Sequence, residues 1–270
     1  MKNCKVISVT VCFLVLIMLL SSCRWMKGSG SDTEIDEEAV VERFDRLESR
    51  YIQTGDYAAL QEMNTEYPAQ TRLLFERILN LGNVTDASVK YKFRALFQDS
   101  IPQVILLEVD REFTSMADID RQLAKAIERF RKFLPDVEPP KFYAQIGMLK
   151  QSIVVHNNLV GISLDKYLGI DNALYADYFT GEQRQSMTRA YIVPDGLSFY
   201  LLSQFPLSDV NAPKAEQDFH MGKIMWFVNK CMSSRFFNTT DVARIDTYMR
   251  LHHGLTAKQL LSDVTLTDVQ

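Results

Sequence analysis

Histidine and cysteine are scarce in this chain, each occurring four times in 270 residues, and the scarcity removes whole classes of chemistry. The usual helical zinc-hydrolase motif needs two histidines four positions apart, because only that spacing aims both imidazoles from one helix face, with a glutamate beside them as base. The histidines here are His156, His220, His252 and His253, and no His-Glu-x-x-His occurs. Adjacent His252 and His253 would diverge on a helix. A long-range set built from His156, His220 and carboxylates is the one metal arrangement left open, that of a degenerate or atypical zinc-dependent hydrolase.

Other signatures are missing as well. Gly28-Ser29-Gly30 lies in a polar small-residue stretch instead of following a strand, so no phosphate loop or dinucleotide fingerprint is present. Gly161-Ile162-Ser163-Leu164-Asp165 starts like a nucleophile elbow, then places Asp165 where a second glycine must allow the sharp turn. Carboxylates such as Asp110 with Glu112, or Asp118 with Asp120, read as solvated charge or helix caps. The formal charge of −4 offers no basic footprint for nucleic acid. The apolar run from Val9 to Leu20 has twelve residues including Thr10, short of the roughly 20 needed to cross a bilayer as a helix.

What that run does suit is a cleaved export signal. Lys2 and Lys5 precede it, and it closes on Leu20-Ser21-Ser22-Cys23, the pattern at which a lipoprotein leader is cut and the cysteine acylated. We therefore expect residues 1–22 to be a lipoprotein signal peptide and the mature chain to start at a lipid-bearing Cys23. Each buried acyl methylene contributes roughly 0.8 kcal/mol, so several chains together anchor firmly. Cys4 and Cys12 leave with the leader, and Cys231 is left alone, with no intramolecular disulfide to form. A lone cysteine in an apolar stretch reads as a small buried hydrophobe. Losing Lys2 and Lys5 takes the side-chain charge from −4 to −6.

Residues 23–33, with Gly28, Ser29, Gly30 and Ser31, form a flexible tether. Acidic residues Asp32, Glu34, Asp36, Glu37 and Glu38 overlap its end and run on into a single body over 34–270. Arg24 stands where the commonest inner-membrane retention signal has aspartate, which points to the outer membrane. The expected location is the cell envelope, with the membrane reached through the lipid, other envelope proteins as partners, no nucleic acid, and no cofactor beyond the lipid on Cys23.

Within the body, the stretch from about Ile35 to Phe97 is helical in pattern, with Val41, Phe44, Leu47 and Tyr51 at steps of three and four. Gly55-Asp56 should break the first helix and Asp56 cap the second, while Pro68 suits the first turn of a third that stops near Gly82. A fourth helix from Asp86 presents Val89, Phe93, Leu96 and Phe97. The run Gln103–Val109 is short, apolar and branched, which favours a buried strand, with a helix turn left open by its length. A long helix follows from Met116 to Leu134 and ends at Pro135. Ser152–His156 and Leu159–Leu164 flank Asn157-Asn158, a hairpin turn, so these two runs should pair antiparallel. Helices return from about Gly181. The fold class is thus α+β, mostly helical with a small antiparallel sheet.

One stretch is more specific. From Pro139-Pro140-Lys141-Phe142-Tyr143-Ala144-Gln145-Ile146-Gly147 through Ile162-Ser163-Leu164-Asp165-Lys166-Tyr167-Leu168-Gly169-Ile170-Asp171, the chain resembles the gliding-motility lipoprotein GldB family of Bacteroidetes. Tyr175, Tyr178, Met187, Ile192-Val193-Pro194-Asp195, Ser203-Gln204-Phe205-Pro206 and Gly222-Lys223-Ile224 continue the likeness in the same order, so that it covers roughly Tyr67 to Met232. After Met232 a tryptophan-rich segment expected of the family is missing, which marks a shortened or diverged member.

The resemblance implies an envelope lipoprotein associated with the gliding motor and its linked protein-export apparatus. It also implies a peptidase-like layout, in which a hairpin precedes a metal-binding helix. At the matching place this chain has Pro194 to Ser203 without one histidine, so the metal site would be lost and the role non-catalytic. The residues singled out for binding or structural duty are Asp165, Tyr167, Gly169, Asp171 and Asp195. Asp165 is expected to cap the following helix, and Gly169 to serve a backbone turn. Tyr143, Tyr167 and Tyr175 are the candidates for an aromatic groove that would take a peptide or glycan, with Tyr178 beside them; core packing is the plainer reading of all four.

Overall fold

The computed structural model describes residues 40–209 and 211–269, so the expected leader 1–22 and tether 23–33 lie outside the described residues. A two-residue strand β1 (Val41–Glu42) opens the described chain, and helix α1 (Phe44–Thr54) follows at once. Val41 therefore lies on a strand and not on the expected helix face. The cause is Asp120, whose Oδ1 accepts the backbone N–H groups of Val40 and Val41 at 3.0 and 2.9 Å and holds this stretch extended against β2. The buried stripe of α1 runs Phe44, Leu47, Glu48, Tyr51, Ile52, the amphipathic helical spacing.

The expected punctuation is present. Gly55 ends α1 in the left-handed region at φ 71°, and Asp56 Oδ1 accepts from Ala58 N at 2.9 Å to cap α2 (Tyr57–Thr65). Pro68 begins α3 (Pro68–Arg72), which continues as a π-helical segment, Leu73–Ile78. Helix α4 (Val89–Leu96) sets Phe93 against Tyr51 and Phe75, with ring centroids 6.0 and 4.8 Å apart. Rings buried this completely each contribute about 1.5–3 kcal/mol through lost water contact.

Residues 103–109 are not a strand. They belong to α5 (Ser100–Glu112), which buries Pro102, Ile105, Leu106 and Val109. Those positions repeat at three, four and seven, a helix stripe, while Ile101, Val104 and Leu107 face solvent on the other side. Helix α6 (Ala117–Phe133) follows with Ile119, Leu123, Ile127 and Phe130 inward, as expected.

The sheet has four strands in the order β1-β2-β4-β3, where β2 is Lys141–Gln145, β3 Ile153–His156 and β4 Leu159–Ser163. The hairpin β3–β4 is antiparallel, with His156 opposite Leu159 and the turn residue Asn157 at φ 54°. The pairs β1–β2 and β2–β4 are parallel, so the sheet is mixed and not purely antiparallel. Because β3 lies at the edge, the chain leaving β2 must cross the carboxyl end of β4 to reach it. That crossing, residues 146–152, builds the site described below.

The second half returns to helices: α7 (Gly181–Arg184), α8 (Ile192–Gln204), α9 (Lys214–Met232), α10 (Thr240–Leu251) and α11 (Ala257–Ser262). The protein is α+β, helices around a small sheet, with one continuous apolar core running from Val41 to Val264. Among the described residues no helix is long and apolar enough to cross a membrane.

Candidate functional site

The carboxyl ends of β2 and β4 lie side by side, Gln145 opposite Ser163. Two residues past Ser163 stands Asp165, completely buried. Its carboxylate does not cap the short 3-10 turn Leu164–Lys166 that contains it. It accepts instead from the crossing loop, from Gly147 N at 2.7 Å and from Leu149 N. The reason is local geometry: Met148 and Leu149 adopt φ of 55° and 59°, which turns these N–H groups inward toward one acceptor. Burial pushes the Asp165 carboxyl up from its ordinary value, and the two N–H groups partly hold it back.

A second acid lies beside it. Glu48, on the buried face of α1, is wholly shielded from solvent and accepts Ile146 N at 3.2 and 3.3 Å through its two oxygens. Burial, then the charge of Asp45, raise its carboxyl well above the usual range. Gln145 Nε2 donates to Ser163 Oγ at 3.2 Å in the same polar layer, while Gln145 Oε1 and the Tyr143 hydroxyl are buried without a hydrogen-bond partner among the described residues. Gly161 lets Tyr143 pack flat on β4: a methyl there would sit 2.5 Å from the Tyr143 hydroxyl and 2.7 Å from Val154 Cγ1. Glu48 and Gln145 are not singled out from sequence, and Ser163 enters there only as the serine of an incomplete nucleophile elbow. A readable signal existed, because Glu48 falls in register with Phe44, Tyr51 and Ile52 on an otherwise apolar stripe.

Outward from Asp165, the motif residues form two separate sets of bonds. Tyr175, fully buried, donates its hydroxyl to Asp165 O at 2.7 Å and accepts from Leu168 N at 2.9 Å. Tyr167 donates to Asp195 Oδ2 at 2.9 Å, and Asp195 sits in the first turn of α8. Burial lifts the Asp195 carboxyl to about 6, and burial with the adjacent Asp195 charge raises the Tyr167 phenol. Tyr167 and Asp195 open onto a cavity of about 230 Å³ shared with Lys166, Phe179 and Met187. Lys166 Nζ lies 3.8 Å from the Phe179 ring centroid, and burial lowers its pKa. Gly169 holds a turn at φ 114° and donates its N–H to Met187 O at 3.0 Å.

The structure thus gathers Asp165, Tyr167 and Asp195, with Gly169 as the turn beside them, and leaves Asp171 exposed at the surface. Core packing, the plainer reading of the four tyrosines, describes three of them. Tyr143, Tyr167 and Tyr175 are buried at 0%, 1% and 0%, and only Tyr178 is open. His156 and His220 do not assemble a metal centre: among the described residues no three His, Cys, Asp or Glu side chains come together in a way that could hold an ion. His220 is buried in α9 with Nε2 unpartnered, and burial lowers its pKa. Chemically, the site can exchange a proton at Asp195, whose carboxyl burial lifts to about 6, and it fixes the crossing loop.

These features define an α+β protein whose mixed sheet is closed at its carboxyl end by a buried-acid clamp. The family model for gliding motility protein GldB matches residues 28–236, most of the chain, and the chain belongs to that family of gliding-motility-associated proteins. No curated protein and no solved structure matches it. The match includes the clamp, Tyr167 and Asp195, and stops before α10 and α11.

Proposed function

We propose that this chain is a lipid-anchored component of the cell envelope that serves gliding motility, or the protein secretion linked to it, through contacts with other envelope proteins and not by turnover. Family membership over residues 28–236 carries the proposal. The signal ending at Cys23 supports the anchor, and Arg24 after it supports the outer membrane in a member of the Bacteroidetes. The non-catalytic part is supported by how the motif is used. Asp165 and Tyr175 spend their polar atoms on backbone groups inside the fold, and Tyr167 spends its hydroxyl on Asp195, so the most specific block of the sequence builds a rigid platform.

The test is a gene deletion in the host, complemented with the parent chain or with Cys23→Ser. Loss of spreading, surface assembly or secretion on deletion, restored by the parent but not by Cys23→Ser, is the expected result, together with a palmitate label that depends on Cys23. Unchanged motility and secretion overturn the role, and an amino terminus that still carries Met1 overturns the anchor. Protease shaving of intact cells then assigns the face on which the body stands.

A further inference from the structure

A concavity of about 830 Å³ lies elsewhere, between α6, α9 and α10. Five cations line it, Arg129, Lys132, Lys230, Arg235 and Arg250, against one carboxylate, Asp246. That balance is opposite to the charge of the chain as a whole, which is −4. Asp246 is moreover already engaged, accepting Trp226 Nε1 at 3.1 Å and Lys230 Nζ at 3.2 Å, with Arg250 Nε at 3.5 Å. Lys132 and Arg235 have no ion-pair partner among the described residues.

The walls are built and not merely adjacent. Asn229, nearly buried, donates Nδ2 to Phe237 O at 2.7 Å and accepts Phe237 N at 2.9 Å, which clamps the loop carrying Arg235 back onto α9. Ser233 makes the required reversal at φ 55°. On the other side Arg129 NH1 donates to Cys231 O at 2.8 Å, fixing α6 to the end of α9. A second cavity of about 290 Å³ adjoins the first past Phe133 and Trp226 and reaches Met249 and Ala257. The two spaces therefore differ in character, one cationic and one largely apolar, and share the aromatic edge between them. The first space alone, about 830 Å³, falls within the size range of a small-molecule site.

We infer that this paired concavity binds an anionic amphiphile of the phospholipid class, its phosphate among Arg129, Lys132 and Arg235 and its apolar part across Phe133 and Trp226. Fork-shaped arginine donors match phosphate oxygens in pairs, and the aromatic edge accepts the first methylenes. Inorganic phosphate would satisfy the cations but leave the apolar annex unused. The site does not depend on the anchor at Cys23 or on the role proposed above.

The chain has two tryptophans, so a full-length Trp25→Phe variant leaves Trp226 as its sole indole reporter. Held in zwitterionic nanodiscs, it is titrated with soluble dihexanoyl phosphatidylglycerol, dihexanoyl phosphatidylcholine, inorganic phosphate and a polyglutamate peptide. We expect a saturable change in Trp226 fluorescence with phosphatidylglycerol, and affinity weakened about tenfold or more on adding Lys132→Glu and Arg235→Glu, since two charge-assisted contacts are reversed. Both positions are exposed, and an unchanged Tm confirms that the variant is folded. Equal response to phosphatidylcholine, equal affinity for inorganic phosphate or polyglutamate, or no response to any probe overturns the inference.

Discussion

Asp165 accepts the backbone N–H of Gly147 at 2.7 Å, from the far side of a strand pair and 18 positions along the chain. Through that bond and the one from Leu149, a single carboxylate stitches the loop leaving β2 onto the end of β4. Asp165→Ala would leave two inward N–H groups without a partner in a dry site, which costs about 3–5 kcal/mol. Asp165→Asn keeps one acceptor but turns an amide donor toward the other N–H, and about 1–3 kcal/mol is expected. Urea unfolding of both variants measures the order. Ala equal to Asn, or either equal to the parent, would show that the loop is held by something else.

Glu48 separates shape from charge. Its carboxyl is raised well above the usual range, so the folded state holds the proton more tightly than the unfolded chain does. The stability linked to this group is therefore complete at low pH and declines as pH rises toward the folded value. Glu48→Gln keeps an oxygen for Ile146 N and removes that decline; at pH about 8 it should equal or exceed the parent in stability. Glu48→Ala opens a cavity and orphans the Ile146 N–H, for a loss of about 2–4 kcal/mol. Thermal melts across pH distinguish the two, and a Gln variant as damaged as the Ala variant would contradict a raised Glu48 carboxyl.

Asp195 is the group with a readable titration. Its carboxyl moves from an ordinary 3.8 to about 6 because it is buried. Between those values the unfolded chain has already lost the proton that the folded chain retains, so stability falls as pH rises from about 4 to about 6 and levels above it. Asp195→Asn preserves an acceptor for the Tyr167 hydroxyl without the buried charge. We expect it to gain about 1–3 kcal/mol over the parent near neutral pH, with the difference vanishing near pH 4. A parallel pair of pH–stability curves would refute the assignment.

The elements that could be read from sequence are those whose signals are local. Gly55, Asp56 and Pro68 mark helix ends through backbone angles and caps, and Asn157-Asn158 marks the hairpin; each acts within a few residues. Val41 and the run 103–109 are placed wrongly when only the local pattern is read. Val41 is extended because Asp120, 79 positions away, takes its N–H, and nothing near Val41 announces that. The run 103–109 looked like a strand because apolar residues fill both faces of the helix, with Leu107 64% exposed. The site was half legible. Asp165, Tyr167 and Asp195 came from family likeness, whereas their partners Gly147, Leu149 and Glu48 are joined to them only by the crossing loop.

Cys231 supplies a test of how the far end of the molecule holds together. The thiol is fully buried in the last turn of α9, and burial pushes it up to about 12. Because the thiolate is the reactive form, the native chain should resist iodoacetamide at pH about 8 and become labelled only on opening. The region just beyond Cys231 is where the family match ends, yet α10 packs on α9 through Val242 and Ile245, and α11 accepts Lys223 Nζ at Leu261 O, 3.1 Å away. If these helices are integral to the core, labelling of the Cys231 peptide by mass spectrometry should follow global unfolding across a urea series, with the same midpoint. Labelling that runs ahead of unfolding would instead reveal a C-terminal pair that opens by itself, and would detach the cationic concavity from the stable body.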